Sequence, residues 1–181
     1  MMNPSPNTHF RPASTRALGL AASLLTSLGS EIPLTPIEEL ARRAEIVARG
    51  RVASLEARRD DTGRAFTRVE LDVMETWKGP ETNRLVVVQG SAVLGSRQVR
   101  VLGEPVFRLG EAVVLFGVFN PRGEAVTLDL ARGKFSVTTN TRSLALVATS
   151  DGARVAGGVA LPGQAPVELT ELKRRVQEVQ P

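Results

Sequence analysis

Residues 112–119 read Ala-Val-Val-Leu-Phe-Gly-Val-Phe, a largely apolar run set off by a turn at Gly110-Glu111 and by Asn120-Pro121-Arg122-Gly123. A strand with one wet face alternates apolar and polar side chains, and this one does not. It has to be covered on both sides, which predicts a strand inside a barrel that also carries a helix.

Upstream, Ile37, Leu40, Ala41 and Ala44 recur at helical spacing and predict a short helix over about 36–45. Thr35 stands where a cap belongs, Pro36 suits the first helical position, and Glu38 completes a Thr-x-x-Glu capping box. The period then falls to two. Ile46, Ala48, Gly50 and Val52 share one face, with Arg49 and Arg51 on the other. In the next segment Val69, Leu71 and Val73 oppose Arg68, Glu70 and Asp72. Arg49 and Arg51 are therefore expected across from Glu70 and Asp72 as a solvated charge ladder.

Further strands are expected at 84–90, 97–103, 124–130 and 133–139, with a loop from Gly90 through Gly95. Residues 150–166 are rich in Gly, Ala and Pro and read as an irregular connection. Leu169, Leu172, Val176 and Val179 predict an amphipathic helix within 167–181, its polar side carrying Arg174 and Arg175. Residues 31–149 then form a single barrel domain.

With six Phe, one Trp and no Tyr, the core has to be built mainly from Val, Leu and Ala. Trp77 is expected to plug an end of the barrel. The absence of cysteine excludes disulfides, thiolate metal sites, cysteine nucleophiles and lipoprotein-type lipidation. Residues 1–16 carry Arg11 and Arg16 without an acid, and 17–30 are uncharged, apolar and small. Together, 1–30 have the layout of a secretory signal peptide, too short in its apolar part to span a membrane. No transmembrane segment is expected after its removal. His9, the single histidine, lies in this leader, so the remainder has no imidazole for base or metal chemistry.

Asp61-Thr62-Gly63 is the triplet that carries the catalytic aspartate of aspartic proteases. Here it lies between two predicted strands and is flanked by Arg58, Arg59, Asp60 and Arg64. An aspartic protease needs two carboxylates sharing a proton under a dry shell. The triplet is therefore read as a turn. Ser91 lacks a histidine, and a serine–lysine dyad would have to recruit Lys78 or Lys134. The acid pairs Glu38/Glu39, Asp60/Asp61 and Glu70/Asp72 all fall on expected wet faces or turns. No catalytic, cofactor or metal residue is assigned. The net charge of +4 comes almost entirely from Arg, yet basic runs are short: the pairs Arg42-Arg43 and Arg58-Arg59, and Arg174-Arg175 preceded by Lys173.

Gly50-Arg51-Val52 in the first strand and Lys78-Gly79 after the second give residues 44–137 a pattern that resembles a domain of exported bacterial proteins. More distantly, it is similar to the netrin-like barrel of tissue inhibitors of metalloproteinases. The resemblance implies a mainly β fold: an OB-like barrel of five or six antiparallel strands with a short N-terminal and a C-terminal amphipathic helix. Those inhibitors reach their target through an N-terminal cysteine, which this chain lacks, so their site is not carried over. The expected function is an exported, non-enzymatic module without a cofactor that binds a protein, peptide or envelope component. Nucleic-acid binding and a protease-inhibitor-like role are the alternatives, and the shortage of surface aromatics for base stacking weighs against the former.

Overall fold

A computed structural model describes residues 34–142, 145–149, 153–154, 160–161 and 165–179. The predicted leader lies outside them, as does most of the 150–166 connection. In chain order the elements are α1 (Ile37–Arg43), β1 (Ile46–Arg59), β2 (Ala65–Lys78), β3 (Arg84–Gln89), β4 (Ala92–Leu94), β5 (Arg97–Val99), β6 (Ala112–Phe119) and β7 (Ala125–Thr127). A 3₁₀ turn (Leu130–Gly133) leads into β8 (Lys134–Thr139), β9 (Leu146–Thr149), the short pair β10 (Ala153–Arg154) and β11 (Ala160–Leu161), β12 (Val167–Glu168) and α2 (Leu169–Glu178).

The first half of β1 is hydrogen-bonded on both edges, to β2 and to β6. This double pairing closes the five strands β1-β2-β3-β7-β6 into a barrel. The expected all-antiparallel barrel has one exception, since β7 meets β3 in parallel at Val87 and Ala125. The free edge of β6 is divided between two partners. Gly117–Phe119 pair with β7, and Val113–Leu115 pair with β8, from which β9 and β12 extend the sheet beyond the barrel.

The two-faced burial predicted for 112–119 is present. Val113 and Leu115 point into the barrel, where they join Ile46, Ala48, Val52, Val69, Leu71, Leu85 and Val87. Val114 and Phe116 point outward into a second core with Leu40 of α1 and Leu172 and Val176 of α2. Phe116 packs against Phe135 with ring centroids 5.5 Å apart. Each such side chain contributes about 1.5–3 kcal/mol when fully buried, so β6 supports two apolar layers at once.

Local details depart from the expected pattern for identifiable reasons. Pro36, not Thr35, caps α1, and no side chain caps it. The Thr35 hydroxyl instead donates to Asp129 Oδ2 at 2.5 Å, and Glu38 accepts two bonds from Arg175 of α2. Irregularities in β1 at Val47/Ala48, Arg49/Gly50 and Val52/Ser54 shift the register, so Arg51 does face Asp72 but Arg49 faces Glu75. Trp77 does not close a barrel end. It is buried between sheet and helices, its Nε1 donating to Glu75 Oε2 at 3.1 Å. The expected loop at 90–95 contains β4, and the strand expected at 97–103 ends at Val99 as β5, which pairs with β4 as a separate hairpin.

Two glycines permit close backbone approach. A Cβ on Gly50 would stand 2.6 Å from the Asp72 carbonyl oxygen, at a β1 irregularity. Gly79 has φ +91° and would place a Cβ 2.3 Å from the Glu45 carbonyl oxygen. Beside it, the Lys78 ammonium donates to the Ala41 and Arg42 carbonyls at the end of α1. Gly79→Ala is expected to cost at least about 1–3 kcal/mol through backbone conformation alone, measured as a lower urea midpoint.

Glu75 links three elements by accepting from Lys173 of α2, Arg49 of β1 and Trp77. These bonds, Lys173's above all, outweigh partial burial and hold its carboxyl at about 2. A carboxylate depressed on folding stabilises the native state above its unfolded pKa and loses that contribution as pH falls. Thermal melts should show Glu75→Gln less stable at neutral pH, the gap to wild type narrowing from about pH 5 towards pH 2.

Candidate functional site

The tip between β1 and β2 is organised by Asp60. Its Oδ1 accepts from the Thr62 amide at 2.9 Å, the Thr62 hydroxyl at 2.7 Å and the Arg64 amide at 2.9 Å. The Thr62 hydroxyl, then the Arg64 amide, hold this carboxyl at about 2. Asp61 is 98% exposed, and Arg122 lies 3.7 Å from its carboxylate. The triplet Asp61-Thr62-Gly63 thus belongs to a wet turn, with Gly63 at φ +79°. The other acid pairs are also separated. Glu38 faces Arg175, Glu39 faces Arg42, and Glu70 binds Arg68 and Ser54.

Ser91 Oγ accepts from the Val101 amide at 2.9 Å, and Lys78 and Lys134 hydrogen-bond elsewhere. Lys134 instead contacts Ser136 at 2.9 Å, two residues along β8 and therefore on the same face. The i, i+2 spacing that brings the two together is visible in the sequence. The lysine is buried, and its ammonium also donates to the Val106 carbonyl and to Glu111, with the Phe107 ring 5.6 Å away. Burial works against the Glu111 charge, but hydrogen bonds from Lys134 and Ser136 outweigh it and lower its pKa. A general base needs a neutral amine with a free lone pair, whereas this ammonium has acceptors for its three protons. The cluster therefore fixes the start of β6 against β8. Lys134→Ala should destabilise by about 3 kcal/mol or more in urea titrations, because it strands a partly buried carboxylate. Lys134→Met combined with Glu111→Leu should recover most of that loss.

Four segments converge around a groove of about 890 Å³. The β1–β2 tip contributes Arg59 and Arg64, the end of β3 Val88–Gly90, the β4–β5 hairpin Leu94, Arg97 and Val99, and the β6–β7 turn Asn120–Glu124. Its acids are engaged internally. Asp60 holds its own turn, Glu104 accepts from the Gly90 and Ser91 amides at 2.6 and 2.8 Å, and Glu124 accepts from Asn120 at 3.0 Å. Asn120 in turn accepts from the Arg122 and Glu124 amides, which shapes the β6–β7 turn.

The guanidinium groups are less occupied. Among the described residues, Arg59 donates to the Gly63 carbonyl and Arg64 to Asp60, Arg122 has only Asp61 at 3.7 Å, and Arg97 has no polar partner. Val88, Val99, Val101 and Val126 supply apolar wall between them. This is a concave surface suited to an anionic ligand with apolar parts. Arg59, Arg64, Arg97 and Arg122 are dispersed along the chain, and only folding gathers them. A second groove of about 860 Å³ lies on the other side of the β4–β5 hairpin, with Val93, Leu102 and Val106 in its wall. Among the described residues, no group of His, Cys, Asp or Glu could hold a metal ion, and no helix is long and apolar enough to cross a membrane. No protein-family model matches the chain, and no curated protein matches it in sequence.

Proposed function

We propose that the protein is an exported, non-enzymatic binding module of the OB type, and that its arginine-lined groove holds an acidic segment of a protein. The observation that carries this reading is where the groove lies. OB barrels bind their ligands on the face of strands two and three and on the loops joining strands one to two and four to five. Here the β1–β2 tip and the β6–β7 turn, which joins the fourth and fifth strands of the barrel, both line the groove. The closed five-strand barrel supports the OB assignment. The basic and then apolar pattern of residues 1–30 supports export.

The same four arginines favour single-stranded nucleic acid as a second reading. The shortage of stacking platforms weighs against it, since Phe66 is the one aromatic side chain among the described residues lining the groove. A protease-inhibitor-like role draws on the distant barrel resemblance alone.

Fluorescence anisotropy with a labelled glutamate-rich peptide and a labelled oligothymidylate, at low and moderate salt, separates the two ligands. The peptide is expected to bind more tightly, and Arg64→Glu with Arg122→Glu to weaken it about tenfold or more. Tighter, strongly salt-dependent oligonucleotide binding would establish the second reading instead. Sequencing the N-terminus of the protein recovered from its native source should find residues 1–30 removed, and an intact Met1 would overturn export.

A further inference from the structure

The strands β4 and β5 form a two-stranded sheet of their own, outside the barrel. Their connection is Gly95-Ser96, with Gly95 at φ +58° and Ser96 not at positive φ, the pattern of a type II′ turn. A two-residue turn makes the closing pair Leu94–Arg97 a hydrogen-bonded one, and alternation then makes Ala92–Val99 the next. Arg97 and Val99 thus direct their backbone groups towards β4, while Gln98 between them directs its N–H and C=O away. No strand pairs with that outer edge among the described residues, and residues 97–102 are all exposed. An unpaired edge of this kind is a template for an added strand, and a lone two-stranded ribbon is marginal without one.

Charge selects the occupant. A second copy pairing antiparallel about Gln98 would set each Arg97 opposite the other copy's Val99. It would bring two more arginines to the edge, since residues 96–102 contain Arg97 and Arg100 and no acid. An acidic strand meets the reverse situation, with Arg97, Arg64 and Arg122 around the groove on one face and Arg100 beside the second groove on the other. Val99 and Val101, each more than two-fifths exposed, offer apolar contact between these charges.

We infer that β5 receives an extended, acidic and β-branched segment of a partner polypeptide as an added strand, its carboxylates lying against Arg97, Arg64 and Arg122. This rests on the reading of the groove as a ligand site and adds to it the mode of capture. Main-chain hydrogen bonds supply affinity, and the arginines supply selectivity.

The probe is a fluorescein-labelled peptide of five Glu-Val repeats, titrated against the full chain by anisotropy. Gln98→Pro removes the outward N–H and leaves every arginine in place, and it should weaken binding about tenfold or more. Gln98→Ala should stay within about twofold of wild type. A peptide N-methylated at alternate residues should fail to bind wild type, and this arm carries the test if melting curves show that Gln98→Pro does not fold. Undiminished binding by Gln98→Pro, or by the N-methylated peptide, overturns strand addition. The groove reading survives that result if Arg122→Glu still weakens the unmodified peptide, and falls with it if Arg122→Glu and Arg64→Glu have no effect. Absence of binding to wild type overturns the inference outright. So does sedimentation showing self-association that Gln98→Pro abolishes, which would make a second copy the occupant.

Discussion

The double burial of β6 is the constraint on which the remaining architecture depends. Its backbone is shared among β1, β7 and β8, and its side chains divide between two cores. Removing apolar groups from both faces requires a closed barrel on one side and helices on the other. Closure through β1 and β6 supplies the first, and α1 and α2 supply the second. Glu75 and the Glu38–Arg175 pair then hold α2 in place, to the sheet and to α1 respectively. These partly exposed ion pairs orient a helix that apolar contact already holds.

What was legible in the sequence followed from period. The alternation at Ile46–Val52 and Val69–Val73 identified the side chains that fill the barrel, and the spacing of Leu169, Leu172 and Val176 identified the buried side of α2. Period is a local property, and it gave no warning of β1's register shifts, which bring Arg49 opposite Glu75. Nor did it show that Thr35 would serve Asp129, a partner distant in sequence, instead of its own helix. The parallel β3–β7 seam was equally invisible, because it arises only when the chain returns past the inserted hairpin to close the barrel.

The candidate site was almost illegible for the same reason. Its residues come from four turns and strand ends, each unremarkable alone. Of the residues that suggest chemistry locally, Asp61 sits in an exposed turn that Asp60 organises, and Ser91 holds the Val101 amide. Asp60 and Glu104 hold backbone amides, and the arginines then dominate the groove wall.

Glu104 connects these levels. By accepting from two successive amides at Gly90 and Ser91, it ties the segment after β5 to the segment before β4. Ser91 adds a second tie through its contact with the Val101 amide, and Thr67 of β2 donates to the Ser91 carbonyl at 2.6 Å. The hairpin is therefore fastened to the barrel at its base, while β5 stands clear of it. A base held in this way fixes the position of Arg97 relative to Arg64 and Arg122 before any ligand arrives. That lowers the ordering cost of binding, which for an extended segment is otherwise the main term opposing affinity.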